Sequence, residues 1–306
     1  METIDLPAIR RLYRSGVNII DHLKRQLGTQ LNTEQLVETS YDMQAGSYVR
    51  FVRDNPRRIE PYRQELASLL ARHIEPGDTV VDVGTGEMTT LAAVAAAGYA
   101  KAAQAYALDI SLSRLIVGRR YLQEQLEPGL AAKIRPVVCT LFRLPFADNS
   151  VDVVWTSHAL EPNGGRELEA ITELARVCRR HLLLFEPSYE HNSDEGRARM
   201  DRLGYVKDLA GSIARVPGLV LEQVVRIETT ENPLNPTYAF IARKTVSGSV
   251  SEPSLRCPLS HGSLDPHEAY VYCRLSLLAY PVLEGIPVLR IDKGICASVL
   301  DEESGA

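Results

Sequence analysis

Between Thr79 and Glu186, five short apolar runs alternate with segments of helical length, and this alternation limits the fold more than any other feature of the chain. The runs are Thr79 to Val83, Ala105 to Asp109, Arg135 to Cys139, Val151 to Thr156 and His181 to Glu186, each rich in Val, Leu, Ala or Ile. An unbroken apolar run belongs to a strand buried on both faces, and such strands are parallel ones covered by helices. Thr89 to Ala97, Ser113 to Leu126 and Glu167 to Arg179 have the length and composition of those helices. The order specifies an α/β fold with an open, doubly wound, mostly parallel sheet and right-handed crossovers. Leu219 to Glu228 and Tyr238 to Ala242 read as two more strands that finish the sheet with an antiparallel pair.

Upstream, Ile9, Leu12, Val17, Ile20 and Leu23 recur at three- to five-residue steps between Ile4 and Gln30, the spacing of an amphipathic helix. A second helix is expected over Pro61 to His73, with Leu66, Leu69 and Leu70 inward, ending before the turn at Glu75 to Asp78. Downstream, the Ser-, Gly- and Pro-containing stretch Thr245 to Pro253 reads as a linker. The expected division is therefore a helical extension and lid over 1–60, the sheet domain over 61–244, a linker over 245–254, a small domain over 255–300 and a tail over 301–306.

With 306 residues and 45% hydrophobic content the chain can bury a core, and 34 Lys and Arg against 39 Asp and Glu leave a net charge of -5. That balance excludes the overall basic field of a non-specific nucleic-acid binder, so there is no strong nucleic-acid signature. No stretch approaches the ~20 apolar residues that span a bilayer. Cys139, Cys178, Cys257, Cys273 and Cys296 form an odd, scattered set that fits reduced thiols, so a cytoplasmic protein is expected, with homo-oligomer formation left open.

The segment Val80-Val81-Asp82-Val83-Gly84-Thr85-Gly86-Glu87 puts an acid at the end of a buried strand and two glycines in the turn after it. Glycine there permits positive φ and close approach of a ligand to the backbone. The next strand ends in Asp109, about 23 residues further on, where a carboxylate can accept hydrogen bonds from both hydroxyls of a ribose. A nicotinamide enzyme would share both features. Here, however, Thr89 stands where its third glycine is expected, and Asp82 before the turn would repel a pyrophosphate while suiting a ligand with an ammonium group. S-adenosylmethionine carries one. The plainer alternative is a strand-to-helix turn shaped by Gly84 and Gly86, with Asp109 as a helix cap.

On these residues the chain resembles the class I S-adenosylmethionine-dependent methyltransferases, from about Tyr41 to Lys244. VVDVGTGEMTTLAAV matches the first motif, ALDIS the ribose-binding strand end, LFRLPFADNSVDVVWTSHALEPNGG the central region, and ELARVCRRHLLLFEPSYE the following helix and strand. The resemblance implies a Rossmann-like fold and S-adenosylmethionine as cofactor. It implies that Gly84, Thr85 and Gly86 lie along the methionine portion with Asp82 near the ammonium, that Asp109 holds the ribose, and that Ile110 packs on the adenine. The chain departs from the family at Thr140, where an Asp often bonds the adenine amino group, which leaves adenine recognition to the backbone and to Leu141.

Methyl transfer is an in-line displacement, so residues that align the acceptor are expected at the carboxyl ends of the strands. His158 and Glu161 follow the strand ending at Thr156, and Glu186 ends the strand that begins at His181. His158, with an ordinary pKa of ~6.5, is a candidate proton acceptor; packing on the cofactor is the other reading. Glu161 is grouped with it as catalytic, and Asn163 and Glu186 as substrate-binding, although both acids could instead cap helices. The cluster Tyr41 to Tyr48 corresponds to a lid in similar methyltransferases, which would make Tyr41 catalytic and bring Gln44 and Tyr48 to the substrate; a plain helix start is the alternative.

Leu255 to Ile291 resembles short zinc-ribbon-like proteins that include the activator subunit of tRNA and protein methyltransferases, through Cys257-Pro258, Gly262, Leu264, Cys273, Ala279-Tyr280-Pro281 and Gly285 to Leu289. Zinc-binding members have two Cys-x-x-Cys pairs, and here Ser260 and Ser276 replace the second cysteine of each. Serine is a poor zinc ligand. His261 or His267 could substitute in principle, but a fold resting on Tyr280, Pro281, Ile286, Val288 and Leu289, with no metal, is expected. The functional expectation is methyl transfer to an acceptor, with a small molecule or sugar precursor preferred to tRNA, rRNA or protein because the chain is acidic. The alternative is a non-catalytic scaffold or binding protein that retains the fold.

Overall fold

The computed structural model describes residues 4–29, 31–229, 232–245 and 253–302. Residues 246–252 of the expected linker and 303–306 of the expected tail lie outside the described residues.

Five helices precede the sheet: α1 Leu6–Arg14, α2 Ile19–Leu27, α3 Glu34–Met43, α4 Ser47–Asp54 and α5 Pro56–Ala71. The single helix read between Ile4 and Gln30 is thus two. Gly16 at φ +84 ends the first, and the Asn18 side chain accepts from the Asp21 N–H (3.1 Å) to start the second. α5 begins five residues earlier than expected. Pro56 suits a first helical position, where no N–H is needed, and Pro61, read as the start, lies inside the helix.

The sheet strands are β1 Thr79–Val83, β2 Gln104–Asp109, β3 Ile134–Val138, β4 Val151–Ser157, β5 Cys178–Pro187, β6 Leu219–Arg226 and β7 Thr237–Lys244, in the order β3-β2-β1-β4-β5-β7-β6. Strands β1 to β5 pair in parallel, and β7 and β6 complete the sheet antiparallel. The apolar runs coincide with β1 to β4 within one residue. β5 starts three residues early, because Arg179 and Arg180 interrupt the apolar pattern but are neutralised by Asp152 and Asp78. Covering helices include α6 Thr89–Val94, which passes into a π turn at Ala95–Tyr99, α7 Leu112–Gln125, α8 Pro128–Lys133 and α9 Glu167–Val177. Helices α10 Asp194–Leu203 and α11 Leu209–Arg215 were not legible as helices; α10 is polar almost throughout and buries only Gly196 and Met200.

The C-terminal residues form a small antiparallel sheet: β8 Asp265–Pro266, β9 Tyr270–Cys273, β10 Leu278–Leu283, β11 Ile286–Pro287 and β12 Ile295–Cys296. It packs on the outer edge of β3. Val288 bridges Val138 in parallel, the Leu289 N–H donates to Val138 O (2.7 Å), and the Arg256 N–H donates to Pro145 O (2.9 Å). Cys257, Cys273, Tyr280 and Leu289 share one apolar cluster with Val137, Leu144 and Phe146, so the small sheet has no separate core on that side. The edge of β3 is thereby covered. Among the described residues no helix is long and apolar enough to cross a membrane.

Candidate active site

In an open α/β sheet, ligands bind beyond the carboxyl ends of the strands where the strand order reverses. That point lies here between β1 and β4, and two adjoining cavities occupy it. The first, about 610 Å3 of empty space including open solvent, is lined by Gly84, Asp109, Ile110, Thr140, Leu141 and Phe142 among others. The second, about 1280 Å3 of empty space including the open solvent at its mouth, is lined by Tyr48, Tyr62, Glu161, Tyr205, Asn235 and Thr237 among others. Tyr41, Gly84, Arg114 and His158 line both.

The floor is the glycine turn. A Cβ on Gly84 (φ +75) would run into Ala159, 3.2 Å from its Cα, so only glycine allows the β1 and β4 loops to touch. Asp109 Oδ2 accepts from the Gly86 N–H (2.8 Å) and Oδ1 from the Ser111 N–H (2.9 Å), so the expected ribose acid also fastens the turn to the start of α7. Each carboxylate oxygen keeps a further lone pair, while the cap of α7 itself is Ser111. Asp82, expected near the ligand's ammonium, is 2% exposed and lines neither cavity; its Oδ1 has no partner, and burial raises its pKa well above the ordinary carboxylate value. Thr85 Oγ1 is likewise buried without a partner.

The roof is built by α3 and α4, and two carboxylates hold it down. Asp42 accepts from Ser111 Oγ (2.8 Å) and Ser113 Oγ (2.9 Å), and Glu87 accepts from the backbone N–H groups of Gly46, Tyr48 and Val49. Tyr41 and Tyr48 face the cavities from this roof. Gln44 does not: its Nε2 donates to Ser40 O (3.1 Å) within α3, and it lines neither cavity, which corrects its expected contact with substrate.

Beyond β4 the chain turns sharply, with His158 at φ +54. Glu186, fully buried, holds this turn: Oε1 accepts from Thr156 Oγ1 (2.8 Å) and from the N–H groups of Ala159 and Leu160, and Oε2 from that of Glu161. Glu186 lines neither cavity, so its expected place against substrate is corrected to that of a positioning residue for the His158 loop. Burial pushes its pKa up to about 7. His158 Nδ1 pairs with Glu161, and Nε2 lies 2.9 Å from Thr237 Oγ1. Burial alone would lower the His158 pKa, but the Glu161 carboxylate more than reverses this and the net shift is upward. Burial alone would raise Glu161; His158 and the side chains of Tyr205 and Asn235 bring it down. The loop therefore holds a half-buried imidazole whose protonated form Glu161 favours. Asn163 lines the first cavity, on the side expected for the cofactor, with Nδ2 donating to Ala159 O (3.0 Å).

Several site residues escaped sequence reasoning. Tyr62, Tyr205, Asn235 and Thr237 come from three segments that carry no motif. Glu87 and Arg114 did carry a signal, as charged residues beside the glycine turn and in the first turn of the helix after Asp109.

In the C-terminal sheet, Cys257 Sγ lies 3.4 Å from Ser276 Oγ and 3.3 Å from Tyr280 Oη, and Ser260 Oγ lies 3.3 Å from Cys273 Sγ. Cys257, Ser260, Cys273 and Ser276 thus meet in space. Burial raises the Cys257 thiol, but hydrogen bonds from Ser260, Ser276 and Tyr280 bring it down to about 7. His267 instead stacks on Tyr270. Among the described residues no group of three or more His, Cys, Asp or Glu is placed to hold a metal ion.

Residues 81–184, about a third of the chain, match the family described as methyltransferase domain. Among curated proteins no sequence matches the chain. Similar solved structures include a geranyl diphosphate C-methyltransferase from Streptomyces coelicolor A3(2), with 16% identity over 59% of this chain and 75% of that one and a TM-score of 0.46. A SAM-dependent methyltransferase from Aquifex aeolicus has 19% identity over 65% of this chain and 98% of that one, with a TM-score of 0.47. A chain from the complex of the Haloferax volcanii Trm112 methyltransferase activator with a methyltransferase has 19% identity over 68% and 98%, with a TM-score of 0.49. The matched segment spans β1 to β5 with the glycine turn and Asp109, and it is a methyltransferase domain with the class I fold, the fold of enzymes whose methyl donor is S-adenosylmethionine.

Proposed function

We propose that the protein transfers the methyl group of S-adenosylmethionine to a small-molecule acceptor held in the second cavity. The observation that carries this reading is the meeting of the two cavities at Tyr41, Gly84, Arg114 and His158. The cofactor supplies an electrophilic methyl group on a sulfonium. Asp109 and Ile110 suit its ribose and adenine, and the unpartnered Thr85 Oγ1 on the wall of the second cavity suits its polar methionine end. The protein's share is alignment and exclusion of water, with His158 accepting a proton from an acceptor hydroxyl, amine or thiol and Glu161 and Thr237 fixing the ring. Tyr41, Tyr48, Tyr62 and Tyr205 around the second cavity favour an acceptor with a flat or apolar body, and the roof of α3 and α4 favours one small enough to lie beneath it. Residues 255–300 brace the β3 edge in this reading, a part of the chain in place of a separate activator.

Calorimetric titration with S-adenosylmethionine and, in parallel, NADH tests the donor. Micromolar binding of the former, lost in Asp109→Ala, is expected, and binding of NADH alone would overturn it. Incubation with methyl-labelled cofactor and fractions of small metabolites, RNA and protein tests the acceptor. Label in the RNA or protein fraction alone would overturn the small-molecule reading.

A further inference from the structure

Arg114 stands on the first turn of α7, 9% exposed, between the two cavities. Its guanidinium covers the glycine turn so closely that a Cβ on Gly86 would stand 2.7 Å from Cζ. The rings of Tyr41 and Tyr48 lie against it, with centroids 5.2 and 4.7 Å from Cζ. Yet among the described residues no carboxylate or carbonyl accepts a hydrogen bond from this side chain, and Nε is buried without a partner. The two nearest acids are engaged elsewhere: Asp109 takes the N–H groups of Gly86 and Ser111, and Glu87 those of Gly46, Tyr48 and Val49. A buried guanidinium without an acceptor is costly, and a ligand anion removes the cost.

Asp109 and Glu87 place negative charge near the guanidinium, but neither offers it an oxygen, so its N–H groups are left for an oxygen of a ligand. We infer that Arg114 receives the α-carboxylate of the donor's methionine arm, an assignment that rests on the S-adenosylmethionine reading above. The planar fork of the guanidinium presents paired N–H donors to a carboxylate, and the two tyrosines keep it in place beneath the roof. A carboxylate or phosphate on the acceptor would offer the same chemistry, and the test separates the two sources.

The full chain is titrated calorimetrically with S-adenosylhomocysteine, with its decarboxylated form, which keeps the ammonium, and with 5′-methylthioadenosine, which lacks both charges. The wild type is expected to bind S-adenosylhomocysteine more tightly than the decarboxylated form, on the order of 10- to 100-fold. Arg114→Met should lose that difference on S-adenosylhomocysteine and keep its affinity for the decarboxylated form, with Arg114→Lys intermediate. Unchanged S-adenosylhomocysteine affinity in a folded Arg114→Met would overturn the assignment and give Arg114 to the acceptor's anion. Equal wild-type binding of all three ligands would also overturn it, without any variant, while leaving the donor reading intact. Binding of none of them would sink the donor reading and the inference together.

Discussion

Glu87 Oε2 accepts a 2.8 Å hydrogen bond from the backbone N–H of Val49, so a carboxylate beside the glycine turn caps the helix that roofs the site. Its Oε1 takes the N–H groups of Gly46 and Tyr48, and the side chain is 1% exposed. A negative charge at a helix N-terminus satisfies donors that the helix itself cannot. Glu87→Ala should therefore strand three N–H groups, cost about 1–3 kcal/mol, and speed amide exchange over 46–54 more than elsewhere. Unchanged exchange there would mean that Asp42 alone secures the roof.

Gly84→Ala should be among the most damaging single-methyl changes in the chain. The added carbon meets Ala159, and the backbone sits at φ +75. Strain and overpacking together are expected to cost about 2–5 kcal/mol in urea unfolding. Adding Ala159→Gly should recover part of that, because it relieves the contact but not the dihedral. No recovery would point away from the contact with the β4 loop as the cause.

His158 should titrate above ~6.5, and Glu161→Gln should bring it down, since burial is then opposed only by the smaller effect of the Glu186 charge. The ring protons of this histidine, followed by NMR against pH, give both values without any acceptor. Once an acceptor is known, His158→Asn should lower kcat by about 10²–10⁴ if His158 is the base. An ordinary kcat in that variant would leave His158 as a packing residue.

The pKa of Glu186 is about 7 in the folded chain, against an ordinary glutamate value of 4.5. The folded protein therefore holds this proton more firmly than the unfolded one. Its contribution is full below about pH 4.5 and is lost as pH rises through about 7. His158, also raised, acts in the same direction. His73, His181 and His261, lowered by burial, act in the opposite direction, so the sign is read as a difference: the wild-type urea midpoint should fall relative to that of Glu186→Gln between about pH 5 and pH 8. The same variant should lower stability by about 1–3 kcal/mol, because an amide N–H2 replaces an oxygen that accepts loop N–H groups.

Leu289 is fully buried and belongs to the same apolar cluster as Val137 and Phe146. Leu289→Ala should cost about 2–5 kcal/mol and lower the whole thermal transition, because the small sheet and the large one share that cluster. Two separated transitions would show instead that residues 255–300 unfold on their own.

The parallel strands and the glycine turn were legible in the sequence because burial on both faces leaves a strand no alternative to an unbroken apolar run, and because close contact at Gly84 leaves no room for a side chain. Asp109 was legible for a similar reason, since its place is set by the length of a strand–helix–strand unit. Glu186 was misread. From the sequence it is an acid at a strand end, and only the fold brings the N–H groups of Ala159, Leu160 and Glu161 to its oxygens. Gln44 shares a segment with Tyr41 and Tyr48, but the helical turn aims it at Ser40. The second cavity draws on residues from Tyr48 to Thr237, and its walls exist only once those distant segments pack together. Local spacing and residue size thus determined the strands and the turn, whereas the partners of buried charges, Arg114 among them, were decided by tertiary structure, because a charge's nearest neighbours in space are seldom its neighbours along the chain.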